Sequence, residues 1–126
     1  MMDADISTPE ALPAIDAELI RLNLGALGED AAECLNFLTE TFTQDTPEML
    51  AQMRQSAEQE DADGLRRSAH TLKSSSATLG ATRLSKLCLL LEQQAREGNL
   101  DQALERVTQA EAAYAEAKTG LENFEW

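Results

Sequence analysis

DADGLRRSAHTLKSSSATLG, residues 61–80, followed by ATRLSKLCLLLEQQAREG, residues 81–98, reads as two amphipathic helices joined at a glycine. In the first, Leu65, Ala69, Leu72, Ser76 and Leu79 recur at four-three spacing and form one core-facing stripe. Asp61 or Asp63 supplies the helix start, and Gly80 stops it after Leu79. The second runs from Ala81 to Glu97, where Gly98-Asn99 ends it. A short connection between long amphipathic helices makes them antiparallel neighbours.

The same punctuation continues outward. Thr8-Pro9-Glu10 is a helix start, with Thr8 as N-cap and Pro9 in the first helical position. A short helix, interrupted or restarted near Leu12-Pro13, runs through Ile15, Leu19, Ile20 and Leu22 and closes at Gly25 and Gly28. Asp30 caps the next, which carries Leu35, Leu38 and Phe42 on one face. Thr46-Pro47-Glu48 repeats the start signal. Either a new helix begins there, or one helix from Asp30 to Glu60 carries Pro47 as a kink; the pattern fits both. The last helix begins at Asp101 and places Leu104, Val107, Tyr114 and Leu121 at near-heptad spacing. The expected architecture is all-α, an up-down antiparallel four-helix bundle with an additional short N-terminal helix. Residues 1–14 form a partly flexible N-terminal segment, 15–122 the bundle domain and 123–126 a tail that either packs back or hangs free.

Composition agrees with helices. The 126 residues include 20 Ala and 19 Leu against 3 Ile, 1 Val and five aromatics, a balance that favours helix over sheet. The formal charge of −13 argues against nucleic-acid and anionic-membrane partners. No apolar run approaches the roughly 20 residues of a membrane helix. The start, MMDADISTPEA, carries acids where an export signal carries bases, so a cytoplasmic protein is expected. Cys34 and Cys88 fall in apolar helical stretches and read as buried free thiols, with a disulfide as the other reading. One histidine and two distant cysteines make no zinc cluster. With no glycine-rich phosphate loop and no nucleophilic triad, neither an autonomous ATP-using enzyme nor a bound cofactor is expected.

The charge is unevenly spread. Residues 66–96 hold six cations (Arg66, Arg67, Lys73, Arg83, Lys86 and Arg96) and one acid, Glu92, a local charge of +5. The remainder has four cations against 22 acids, −18. The basic segment contains the only histidine, His70.

His70 lies about 100° round the helix from Ala69, off the core stripe. One turn away stand Arg66 and Arg67 on one side, Lys73 and Ser74 on the other. A lone helical histidine is either a packing or surface residue or a reactive group. The hairpin geometry bears on the choice. His70 lies 10 residues before Gly80 and Glu92 lies 12 after it, an axial mismatch of only about 3 Å. If the face bearing Ser85, Leu89, Glu92 and Arg96 turns toward His70, Glu92 can accept from one ring nitrogen. The other nitrogen is then left free as a nucleophile. The alternative is a solvated surface glutamate.

The stretch from Ala69 to Ala81, AHTLKSSSATLGA, resembles the signature of the histidine-containing phosphotransfer (HPt) family of multistep phosphorelays. The resemblance continues through Leu84, Cys88, Leu91-Glu92 and Arg96-Glu97-Gly98, and upstream through Phe42 and Asp45-Thr46-Pro47. It covers about residues 15 to 120. It implies that His70 accepts a phosphoryl group, that Lys73 neutralises it and that Glu92 orients the imidazole. Ser74 stands where glycine is commonest, the place for a small residue beside the site, and its hydroxyl can fold back on the preceding turn. Arg66, Arg67, Ala77, Leu89 and Arg96 are the expected partner-binding residues, the arginines steering an acidic receiver pocket toward His70. The implied protein is a monomeric phosphocarrier without kinase activity, whose partners are response-regulator receiver domains and a hybrid sensor histidine kinase. Magnesium is expected from the receiver. The alternative is a non-phosphorylated helical adaptor that docks receivers or another acidic partner.

Overall fold

The computed structural model describes residues 8–126. The acidic start read above as lacking an export signal therefore lies mostly outside the described residues. Pro9 opens a short 3-10 turn, Pro9–Ala11, and the chain then bends without regular structure as far as Asp16. The Asp16 carboxylate accepts from the Leu19 amide at 3.2 Å and caps α1, Ala17–Leu24. The expectation of helix through Ile15 is thus corrected. Leu12 precedes a proline and is held at φ −96°, ψ 146°, outside the helical region. Its carbonyl and that of Pro13 accept from Arg83 Nε (2.9 Å) and Thr82 Oγ1 (3.0 Å) instead of from a following turn.

A 3-10 segment, Gly25–Asp30, breaks at Gly28, whose φ of +61° and ψ of −121° suit glycine alone. Asp30 occupies the start of α2, Ala31–Glu58, without making the expected side-chain cap. Pro47 lies inside that one 28-residue helix. Proline leaves the Thr43 carbonyl without its usual donor four residues on. Tyr114 Oη donates to that carbonyl at 3.4 Å, and the Tyr114 ring meets Phe42 edge to face at 5.4 Å. A tertiary partner thus replaces the missing local one, and the helix continues.

Three helices complete the bundle: α3, Ala62–Thr78; α4, Thr82–Arg96; and α5, Ala103–Glu122. Asp61 caps α3 by accepting from Gly64 N at 3.0 Å. The start of α5 is Ala103 and not Asp101, because Gln102 sits at φ +65° and interrupts the helical backbone. Each helix packs on its sequence neighbour, and α5 returns against α2, closing the ring. The α3 stripe from Leu65 to Leu79 is buried throughout. It meets Leu84, Leu87, Cys88 and Leu91 of α4, while α5 contributes Ala103, Val107, Ala110, Ala113, Ala117 and Leu121. Leu104, expected on that face, points outward.

Ile20 and Leu24 plug one end of the bundle. There Asp16 N donates to Gly80 O at 2.7 Å. A Cβ on Gly80, whose φ is +70°, would lie 2.9 Å from both Asp16 O and Ile20 Cγ1. The chain end packs back on α1: Arg21 donates to the carbonyls of Glu125 (2.9 Å) and Trp126 (3.1 Å) and stacks over Phe124. Both cysteines are free thiols; Cys88 is buried as expected, whereas Cys34 is only half-buried. Among the described residues no helix is long and apolar enough to cross a membrane.

Candidate functional site

The α3–α4 hairpin brings the single histidine and the single acid of the basic segment together. His70 Nδ1 lies 2.8 Å from Glu92 Oε2. An ionised carboxylate can only accept, so this bond places the ring proton on Nδ1 and leaves Nε2 with its lone pair. The ring is 59% exposed, whereas Glu92 is 3% exposed. A buried acceptor beneath thus holds a solvent-exposed ring.

Glu92 is a buried charge and needs compensation. Lys73 Nζ donates to its Oε1 at 2.6 Å, and Arg96 Nη2 to its Oε2 at 3.1 Å. Arg96 reaches Glu92 from one turn along the same helix, whereas Lys73, one turn after His70, reaches it across the hairpin. Burial alone would push the Glu92 carboxyl up; the bonds from Lys73 and His70 outweigh it and hold the group below the ordinary glutamate range. Beneath lies Cys88, whose thiol is pushed up to about 12 by burial and by the Glu92 charge, so it stays protonated. The Ser74 hydroxyl folds back to the His70 carbonyl at 3.4 Å, the local bond its position allows.

The remaining expected residues distribute unequally. Arg66 and Ala77 flank His70 along the outer face of α3, and Leu89 is half-buried on α4. Arg83, counted in the basic segment, turns away from the histidine to Glu116 and the Leu12 carbonyl. Arg66 and Arg67 are both engaged by Asp63, at 2.8 Å and 3.0 Å. Asp63 stands three positions outside the basic segment and was not among the expected site residues. Its i,i+3 and i,i+4 spacing to the two arginines is the signal that locates it. Sequence reasoning also missed Ser85 Oγ, which donates to the Lys73 carbonyl at 3.2 Å and ties α4 to α3 beside the site. Ser85 lies two turns before Glu92, on the same face.

Magnesium requires several oxygen donors with little competing positive charge. The surroundings of His70 do not fit it: Glu92 is the carboxylate bonded to the ring, and both its oxygens already accept from cations. Among the described residues no three His, Cys, Asp or Glu side chains gather as a metal site.

A helical bundle displaying one carboxylate-braced histidine defines a class, the histidine phosphotransfer proteins. The Hpt domain family model matches residues 38–120, and the chain belongs to that family. Its function is histidine phosphotransfer in a phosphorelay. The crystal structure of histidine-containing phosphotransfer protein B (HptB) from Pseudomonas aeruginosa PAO1 is similar, with a TM-score of 0.77 at 27% identity. The match covers 87% of this chain and 92% of that one. No curated protein matches in sequence.

Proposed function

We propose that His70 accepts a phosphoryl group from the aspartyl phosphate of one receiver domain and passes it to the aspartate of another. The observation that carries this reading is the 2.8 Å bond from Nδ1 to buried Glu92, which leaves Nε2 as the nucleophile on an exposed ring. As the Nε2 lone pair bonds to phosphorus, the P–O bond to the aspartate breaks and the carboxylate leaves. The ring keeps its Nδ1 proton and becomes positive. Glu92, fixed beside that proton, stabilises the charge as it develops. Transfer to the second receiver is the same step reversed, with the imidazole as leaving group.

Lys73 and Arg96 rest on Glu92 before transfer. Lys73, 28% exposed and one turn from His70, swings from the carboxylate to the phosphoryl oxygens when they arrive. The receiver supplies the metal ion and the acceptor aspartate, which is why this face needs only cations. The protein is a monomeric cytoplasmic carrier linking a hybrid sensor kinase to a response regulator, and it has no kinase activity of its own.

Incubated with a phosphorylated receiver, the chain is expected to gain an acid-labile phosphate. His70→Gln should gain none while retaining its helical circular dichroism. Equal labelling of that variant would overturn the assignment. A receiver that binds both forms yet labels neither would favour an adaptor.

A further inference from the structure

The face that carries His70 holds Arg66, Arg67, Lys73 and Arg96, and one exposed carboxylate, Asp63. Asp63 lies seven residues before His70, almost two full turns, so it points to the same side of α3. Its oxygens are divided between the two guanidinium groups: Oδ1 accepts from Arg66 Nη2 at 2.8 Å, and Oδ2 lies 3.0 Å from Arg67 Nη1. This is not a helix cap, because Asp61 fills that role through Gly64 N. Nor is it a strong structural tie: Asp63 is 61% and Arg67 67% exposed, and such pairs contribute little to stability. Its consequence lies in charge. Glu92 already accepts from Lys73 and Arg96, so Arg66 and Arg67 are the cations beside His70 not held by a buried acid. Asp63 pairs with both, through one nitrogen of each.

We propose that Asp63 is an intramolecular competitor for Arg66 and Arg67, and that it limits how long an acidic receiver stays docked over His70. The inference rests on the phosphotransfer reading. A carrier that serves two receivers must release each after transfer, and contacts to close charge pairs govern dissociation as well as encounter. Asp63 takes one nitrogen of each guanidinium and offsets part of its charge, so a receiver carboxylate meets a weakened cation unless it draws the arginine away from Asp63. The competing charge keeps docking weak, while the arginines remain ordered for encounter.

The probe is the receiver domain that labels His70 in the assay above, its aspartate held as the beryllofluoride adduct. Dissociation rates are measured at low and high salt for the wild type, Asp63→Asn, Arg66→Gln/Arg67→Gln and the triple variant. Asp63→Asn is expected to slow dissociation about threefold at low salt. The effect should shrink at high salt and vanish when both arginines are replaced. An unchanged or faster rate, or the same change in both backgrounds, would overturn the proposal. A merely structural role would shift thermal stability and leave the salt-dependent coupling at zero. Labelling of wild-type His70 by the phosphorylated receiver, and its loss in His70→Gln, tests the underlying reading alone. Its absence would overturn both, whereas labelling with uncoupled dissociation overturns only the role of Asp63.

Discussion

Glu92 shows how one residue joins stability to chemistry. It is buried yet charged, and it stays so because Lys73, His70 and Arg96 surround it. Its carboxyl is held below the ordinary glutamate range, near 4.5, so folding favours the ionised form. The contribution is therefore fully present above about pH 4.5 and is lost as pH falls through the lowered native value. Glu92→Gln is expected to cost about 1–3 kcal/mol at pH 7, because Lys73 loses its charged partner in a half-buried setting. Urea denaturation at pH 7 and at successively lower pH checks the sign: the difference between wild type and variant should narrow in acid. The same substitution should slow phosphoryl transfer about tenfold to a hundredfold, since a neutral amide stabilises the positive ring less. Rapid-quench transfer assays give that rate. Residue types and spacing alone were enough to nominate Glu92 as the partner of His70. They did not reveal that Lys73 and Arg96 converge on the same carboxylate, because that depends on the rotation of α4 about its axis.

At the scale of the element, α2 is the informative case. A proline in a helix interior costs about 3 kcal/mol, and Thr46-Pro47-Glu48 has the form of a helix start. Local sequence therefore could not distinguish one helix from two. The continuous helix persists because Tyr114, on α5, donates to the Thr43 carbonyl that Pro47 leaves unpaired. Pro47→Ala is expected to raise stability by about 1–3 kcal/mol, by restoring the missing donor and relieving the ring's contact with the preceding turn. Tyr114→Phe should cost about 0.5–1.5 kcal/mol in the wild type and less in the Pro47→Ala background. Chemical-denaturation midpoints of the four proteins close that cycle. Equal costs for Tyr114→Phe in both would show that its hydroxyl does not compensate the proline. The opposite lesson comes from α3, whose boundaries and buried stripe follow from the sequence because Asp61, the four-three apolar spacing and Gly80 all agree.

For the molecule as a whole, the N-terminal segment and the α3–α4 turn form one joint. Asp16 N bonds to the Gly80 carbonyl, Ile20 packs on the same glycine, and Arg83 and Thr82 hold the carbonyls of Leu12 and Pro13. Gly80→Ala should cost about 2–4 kcal/mol, combining left-handed backbone strain with a clash against backbone that cannot rotate away. Thermal unfolding measures this, and proteolysis should cut first near residues 12–16 if the joint opens before the bundle. A loss below about 0.5 kcal/mol would mean that α1 adjusts freely and does not lock the turn.

The chain's charge belongs to the same scale. The total of −13 conceals a basic face around His70, and the fold refines that face further: Arg83 leaves it, Asp63 joins it, and Glu92 sinks beneath it. Helical class, bundle order, core stripes and the axial level that makes Glu92 a candidate partner for His70 were encoded locally, in spacing and punctuation that act over one or two helical turns. Three features depended on atoms distant in sequence: the continuity of α2 through Pro47, the strap across Gly80 and the sharing of Glu92 among three donors. Each turns on how one helix is rotated and placed against another, and packing of the complete core sets that rotation.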